Sequence, residues 1–378
     1  MRAVEGWTPP PYPQDRLGDL RSTAAAGGDL LDLSVGDPCD PVPPIVAGAL
    51  IAAVERGRSY PASIGFAEFR QAAADWMARR LDVAVPPDQV TACVGTKEAV
   101  ASLPRWLALR DPSRDTVLYP AVSYPTYAMG AELAGLRAVP VPLDDDWLPR
   151  LDAVDDDDAA RTLLLWLNEP GNPTGSAADG AWYSRAVAWA RERGVVVASD
   201  ECYVEFSFAA DRATALSAGS DGVLAVHSLS KRSNMAGFRA GFMAGDAALV
   251  RYLGEVRKHA GLMMPGPVQV AAAAALADDE HVEAQCERYA QRRALFVEAL
   301  EGTDVAHVGG PATFYLWLAR PGVDGWRLAE TFARAGILAA PGDLYGKDGA
   351  PYLRVALVAP VERLEAAVAR LRDALAAG

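Results

Sequence analysis

The segment His227-Ser228-Leu229-Ser230-Lys231, with Arg239 eight residues after the lysine, sets an amine among hydroxyls and a guanidinium. An amine can condense with an aldehyde, and hydroxyls with an arginine can hold a phosphate dianion. A ligand carrying both groups, such as pyridoxal 5'-phosphate (PLP), would use the whole segment. Taken alone, the segment reads equally well as a surface loop.

Other residues could share that chemistry. Gly95-Thr96-Lys97-Glu98 joins an apolar run to a helical pattern, where free backbone N–H groups favour an anion. The same residues also make an ordinary turn and helix cap. Asp200, in Ser199-Asp200-Glu201-Cys202-Tyr203, is a carboxylate at a strand end. It would hold a proton on a heteroaromatic nitrogen, with Tyr203 donating to a ring oxygen, or it would cap a turn. Asn172-Pro173-Thr174-Gly175 is a turn signal that would aim the Asn172 amide. Arg354 alternates with apolar residues in Tyr352 to Leu357. Its guanidinium is expected to be buried against an anion, either a ligand carboxylate or an internal acid. Tyr124, in Tyr124-Pro125-Thr126-Tyr127, offers a ring for stacking on a flat ligand or for the core.

The elements that must position these residues are visible as apolar runs. Val90 to Val94, Thr116 to Tyr119, Thr162 to Leu167, Val195 to Ser199 and Val223 to Ser228 predict buried strands, with amphipathic helices at Ala99 to Leu109 and Trp182 to Arg193 between them. The alternation predicts an α/β unit with a mostly parallel sheet, whose ligands bind beyond the carboxyl ends of the strands. The motifs between residues 95 and 231 each follow one of these runs. After residue 280 the pattern changes. A long helix (His281 to Leu300), short strands at Val305 to Val308, Thr313 to Leu318 and Tyr352 to Leu357, a helix near Trp326 to Ala335 and a final helix predict a smaller α+β unit. The expected division is a Pro- and Gly-rich segment over 1–45 that runs across the surface and packs with the small domain, a large domain over 46–280, and a small domain over 281–378.

A chain of 378 residues, 51% hydrophobic, can bury two cores, and its net charge of -13 argues against nucleic-acid or anionic-membrane partners. Small molecules are the expected partners. Cys39, Cys93, Cys202 and Cys286 have no regular spacing, which suits reduced thiols in the cytoplasm, and the four histidines form no metal-ligand pattern. Neither a signal peptide nor a membrane helix is expected.

In order and spacing, Gly-Thr-x-Glu from Gly95, Tyr-Pro-x-Tyr from Tyr124, Asn-Pro-Thr-Gly from Asn172, Ser-Asp-Glu-x-Tyr from Ser199, Ser-x-Ser-Lys from Ser228 with Arg239, and Leu-Arg-Val around Arg354 resemble the PLP-dependent aminotransferases of fold type I, classes I and II. The resemblance runs from about Asp32 to the C-terminus. Within that family, Ser34-Val35-Gly36-Asp37-Pro38, the segment His227 to Gly237 and Arg257-Lys258-His259 look like the actinobacterial type of succinyldiaminopimelate transaminase. The resemblance implies a large PLP-binding domain with a mostly parallel seven-stranded sheet flanked by helices.

It also implies roles. Lys231 would hold PLP covalently and move a proton, and Asp200 would pair with the pyridine nitrogen. Asn172 and Tyr203 would hydrogen-bond the ring oxygen, and Tyr124 would stack on the ring. Gly95, Thr96, Lys97, Ser228, Ser230 and Arg239 would bind the phosphate. Tyr60 would reach the phosphate of a partner subunit, which implies a homodimer with shared sites. Arg354 would grip the substrate α-carboxylate, with Gly36 and Asn172 nearby. Two departures stand out. The run Tyr119-Pro120-Ala121-Val122-Ser123 lacks the aromatic that many relatives place two residues after the proline. Asp37 replaces a Glu, Gln or Thr of many relatives and receives no role.

The implied reaction moves an amino group between N-succinyl-L,L-diaminopimelate and 2-oxoglutarate, in lysine and diaminopimelate biosynthesis. Lys97 or Arg232 is expected to meet the distal carboxylate. Three alternatives stay open: an aminotransferase of aspartate, alanine or aromatic type, a PLP-dependent C–S lyase, and a non-catalytic binder on the same fold.

Overall fold

The computed structural model describes residues 7–208 and 211–376. The N-terminal segment does more than cross the surface. Leu17, Leu20 and Ala24, on and just before the helix Gly18–Ala26, are buried, and β1 (Leu31–Asp32) pairs in parallel with the late strand Ile337–Leu338. That buried stripe is only two turns long and lies among small residues, so composition hides it. Asp40 then fastens the segment, accepting 2.8 and 2.6 Å bonds from Arg292 on the helix Glu280–Leu300.

Seven strands form the main sheet: β2 (Val90–Val94), β3 (Thr116–Pro120), β4 (Arg137–Val141), β5 (Thr162–Asn168), β6 (Val196–Asp200), β7 (Val223–Ser228) and β8 (Ala240–Gly245), in the order β2-β8-β7-β6-β5-β3-β4. Strands β3 to β7 pair in parallel, and β8 runs antiparallel to both its neighbours. The interior strand β5 is buried along its whole length, as its unbroken apolar run requires. Apolar runs alone do not reveal β4 and β8. The first is a half-exposed edge strand containing Pro140, where a proline costs no ladder bond. The second, Ala240-Gly241-Phe242-Met243-Ala244-Gly245, carries two glycines that sequence rules count against a strand. They are required by packing: a Cβ on Gly241 would lie 2.9 Å from the His227 carbonyl oxygen, and one on Gly245 would collide with that of Val223.

Helices cover both faces. Phe69, Trp76 and Met77 of the helix Ala67–Leu81 pack on one face, and Leu103 and Leu107 of Thr96–Arg110 on the other, with Leu249 and Leu253 of Ala247–His259. A second, antiparallel sheet follows. It joins β9 (Ala306–His307), β10 (Tyr315–Ala319), β12 (Ala340–Pro341) and β13 (Tyr352–Ala356) in the order β12-β13-β10-β9, while β11 (Ile337–Leu338) is the partner of β1. Among the described residues no helix is long and apolar enough to cross a membrane.

One cap ties sheet to helix. Asp246, at the N-terminus of Ala247–His259, accepts 2.8 Å bonds from the N–H groups of Ala248 and Leu249 and a 3.0 Å bond from that of Gly222. Replacing Asp246 with Ala should cost about 1–2 kcal/mol. The urea midpoint should fall with an unchanged slope; an unchanged midpoint would show that water replaces the cap.

Candidate active site

Five strands of the main sheet deliver polar residues to one edge. Gly95 to Lys97 follow β2, Tyr124 follows β3, Asn168 ends β5, Asp200 ends β6, and Ser228 to Lys231 follow β7. The N-terminal segment contributes Tyr12 and Gly36, and the second sheet contributes Tyr315 and Arg354. Apart from Gly95 and Leu229, these residues line a cavity of about 240 Å³. Four cationic side chains, Lys97, Lys231, Arg239 and Arg354, face a single carboxylate, Asp200.

Asp200 is almost fully buried. Its oxygens accept a 2.9 Å bond from the Tyr127 hydroxyl and a 3.2 Å bond from the Cys202 N–H, and no cation reaches it among the described residues. Burial pushes its pKa up, and those two bonds only partly offset the shift. A protonated ring nitrogen is the kind of partner such a carboxylate lacks.

Arg354 sits 4.2 Å above the Tyr315 ring and 4.7 Å above that of Tyr345. The register explains the first contact. Arg354 lies opposite Trp317 on the antiparallel β10, so Tyr315 is its diagonal neighbour on the same face. Its Nη1 donates to Asn172 Oδ1 at 2.9 Å and its Nη2 to the Ser34 carbonyl at 2.5 Å, while Nε is buried without a partner. No acid pairs with this guanidinium among the described residues, so an internal salt bridge is not its reason for being buried. A chain of bonds runs on: the Asn172 N–H donates to Asn168 Oδ1 at 3.0 Å, and Asn168 Nδ2 to the Asp200 carbonyl at 3.2 Å.

Lys231 donates to the Gly36 carbonyl. Gly36 cannot carry a side chain there, because a Cβ would collide with the Tyr315 hydroxyl. Burial lowers the pKa of Lys231 to about 8, with Asp37 pulling the other way. The turn after β7 is held by the Ser228 hydroxyl, which accepts a 3.1 Å bond from the Ser230 N–H. At the end of the next loop Arg239 adopts a left-handed backbone (φ 57°), and its Nη1 donates to the Ala236 carbonyl at 2.9 Å. That guanidinium lies against Gly95 (φ 72°), where any Cβ would collide with it.

Residues 28–371 match the profile of the family described as Aminotransferase class I and II. The chain belongs to that family. Its cofactor is pyridoxal phosphate, and its fold is that of the aspartate aminotransferases. The chain is 44% identical over 372 residues to the 4-dedimethylamino-4-oxo-anhydrotetracycline transaminase OxyQ of Streptomyces rimosus, covering 96% of this chain and 99% of that one. It is 37% identical to an LL-diaminopimelate aminotransferase of Aquifex aeolicus, covering 92% of each. Among solved structures, a probable N-succinyldiaminopimelate aminotransferase from Thermus thermophilus superposes with a TM-score of 0.86 at 32% identity, covering 95% of this chain and 99% of that one.

The cavity gathers Lys231, Asp200, Tyr203, Asn172, Thr96, Lys97, Tyr124, Ser228, Ser230, Arg239, Gly36 and Arg354, with Gly95 at its edge against Arg239. Two expected residues lie elsewhere. Tyr60 is 96% exposed and away from the cavity of its own chain. Arg232, offered for a distal carboxylate, points to the back of the turn. It is buried, donates to the Ala275 carbonyl at 2.9 Å and lies 3.5 Å from Glu205, so that expectation is corrected to Lys97 alone. On this short turn Ser230 and Lys231 line the cavity and Arg232 faces away from it. Sequence reasoning missed Tyr315 and Tyr345, whose signal is only that of apolar packing. It also missed the link from Tyr127 to Asp200, although Tyr127 closes the Tyr124-Pro125-Thr126-Tyr127 motif.

An aldehyde condenses only with a neutral amine. Coenzyme uptake by the coenzyme-free protein should therefore speed up as pH rises through about 8, not through the ordinary lysine value of 10.5. Stopped-flow absorbance across this range is the measurement, and a midpoint near 10.5 would contradict the burial argument.

Proposed function

We propose that this aminotransferase exchanges an amino group between N-succinyl-L,L-diaminopimelate and 2-oxoglutarate. Arg354 carries the reading. It is a buried guanidinium held between two tyrosine rings with no acid of its own among the described residues, at the cavity that also holds Lys231 and Asp200. Such a group suits the α-carboxylate common to donor and acceptor amino acids.

The residues present fit PLP, because the cations of the cavity outnumber its one acid and a phosphate dianion with a substrate carboxylate would balance them. PLP supplies an aldehyde for amine exchange and an electron-withdrawing ring. Lys231 would hold it covalently and then carry a proton to and from the substrate α-carbon. Asp200 would keep a proton on the ring nitrogen. Asn172 and Tyr203 would bond the ring oxygen, Tyr203 exchanging its 2.8 Å bond with the Tyr315 hydroxyl for that contact. Tyr124 would lie against the ring. The N–H groups of Thr96 and Lys97 at a helix N-terminus, with Gly95, Ser228, Ser230 and Arg239, would take the phosphate. Tyr60 would reach the phosphate of a second copy. The exposed Ile51, Val54 and Tyr60 on one stretch of chain support a homodimer that covers them. The acidic charge and the lack of a membrane-spanning helix among the described residues suit an enzyme of the cytoplasm.

Lys97 would meet the distal carboxylate. Its amine meets the Tyr12 hydroxyl at 2.9 Å and lies 4.7 Å above the Tyr12 ring, at the cavity wall formed by the N-terminal segment. A second reading follows from the Streptomyces relative, whose name gives it a bulky oxo compound as substrate. Here too Arg354 would serve an amino-acid donor.

Assay of glutamate formation with succinylated and free diaminopimelate separates these readings. Succinylated substrate should win by at least about tenfold in kcat/KM, a difference of roughly 1.4 kcal/mol. Lys97→Met should lose about tenfold on succinylated substrate and less than about twofold on glutamate. Equal losses would remove Lys97 from specificity, and no turnover of either diaminopimelate would move the assignment to another acceptor.

A further inference from the structure

Arg257-Lys258-His259 is the one distinctive motif that the proposed chemistry leaves unused. Only its arginine faces inward. In the helix Ala247–His259 the buried positions are Leu249, Val250, Leu253, Gly254 and Arg257, one continuous stripe, so a guanidinium occupies the apolar face of the helix. Lys258 is solvent-exposed, with its amine 3.7 Å from Glu255. Arg257 is 1% exposed, yet it donates through only one nitrogen: Nη1 meets Glu98 Oε1 at 2.6 Å, and Nε and Nη2 are buried without partners. Among the described residues its positive charge is matched by Glu98 alone.

Glu98 is an odd residue to find there. It lies in the first turn of Thr96–Arg110, the helix whose N-terminus would take the phosphate. Its other oxygen, Oε2, accepts the Val94 N–H at 3.1 Å, so the side chain folds back over the strand end and clamps the Gly95 turn. A carboxylate in the first turn complements the helix dipole, but it also repels an anion bound at the same end. Placed beside a phosphate dianion, an unpaired Glu98 would oppose the ligand that the turn is shaped to hold.

We infer that Arg257 is a positioning residue that cancels the charge of Glu98, letting the carboxylate clamp the Gly95 turn without repelling the coenzyme phosphate. The inference rests on reading Gly95 to Lys97 as the phosphate cradle. It makes Arg257 act on the phosphate through Glu98 and on no other part of the coenzyme. Two substitutions should therefore push in opposite directions. Arg257→Met exposes the cradle to a bare carboxylate. Glu98→Gln keeps an oxygen for the Val94 N–H but leaves Arg257 as an uncompensated cation beside the cradle.

The test titrates the full coenzyme-free chain with PLP and, separately, with pyridoxal, which lacks the phosphate. Arg257→Met should weaken PLP about tenfold and pyridoxal by less than about twofold. Glu98→Gln should bind PLP as tightly as the parent or tighter, again with pyridoxal unchanged. The double variant Glu98→Gln/Arg257→Met should return PLP affinity to within about threefold of the parent. A merely structural pair would give another pattern, with both ligands weakened alike by either substitution, and that result overturns the inference. So does weakened PLP binding in Glu98→Gln, which remains decisive if Arg257→Met does not fold. The cradle itself is checked by the parent and by Arg239→Met. If the parent binds PLP no more tightly than pyridoxal, the cradle reading fails. If the parent prefers PLP and Arg239→Met loses that preference while Arg257→Met keeps it, the cradle stands and the role of Arg257 falls.

Discussion

A lysine that reacts near neutral pH must be kept from water, and keeping it so means fixing the backbone that carries it. Lys231 and Arg232 divide these tasks. Lys231 turns into the cavity, where burial lowers its pKa to about 8. Arg232 turns the other way, into a buried cluster centred on Glu205. That carboxylate accepts 2.8 Å from the Trp76 indole N–H and 3.0 Å from Arg80, and it lies 3.1 Å from Arg212 and 3.5 Å from Arg232. Burial alone would raise the Glu205 pKa. Arg232 and the other cations outweigh that cost and hold its pKa below the ordinary value. The turn bearing Lys231 is thus anchored from behind to the helix Ala67–Leu81 through Trp76 and Arg80, and to Gly266–Ala277 through the Ala275 carbonyl.

Charge pairing also separates the site from the rest of the interior. Away from the cavity, the fully buried arginines have acids: Arg232 shares Glu205 with the partly buried Arg80, Arg257 has Glu98, and Arg292 has Asp40. Inside the cavity this matching stops. Among the described residues, Arg354 and Arg239 bond only to amide oxygens, and the Asp200 carboxylate only to a hydroxyl and an N–H. A buried charge with no partner is costly, so this contrast within one protein marks where ligands complete the electrostatics.

Much of this is legible in the sequence, for a physical reason. Helices cover both faces of the sheet, so β2, β3, β5, β6 and β7, which all run in the same direction, advertise themselves as apolar runs, and the residues that follow them must lie on one edge. That placed Gly95, Tyr124, Asn172, Asp200 and Lys231 near one another from the sequence alone. Where a residue's role depends on a neighbour far along the chain, spacing is silent. Nothing local to Tyr315 says that it roofs Gly36, bonds Tyr203 and supports the Arg354 guanidinium. Strand β8 was hidden by glycines that only its close approach to β7 explains. The direction of Arg232 was hidden because it stands immediately after Lys231 in the chain, and spacing does not say which of the two faces the cavity.

On the proposed reading, substrate choice is a harder case than fold or chemistry because it would lie in the least patterned part of the cavity wall. The reacting end is built from strand termini and held by a continuous set of bonds from Arg354 through Asn172 and Asn168 to Asp200. Another part of the wall is built from Tyr12 on the N-terminal segment and Lys97 on a helix end. These come from elements remote in sequence, and each can change without disturbing the sheet. Relatives can therefore share the catalytic edge while carrying names as different as a diaminopimelate and an anhydrotetracycline transaminase. The Tyr12–Lys97 contact joins the N-terminal segment to this wall, beside the contacts of Gly36 with Lys231 and of Ser34 with Arg354, and on the proposed reading a distal carboxylate would be met there.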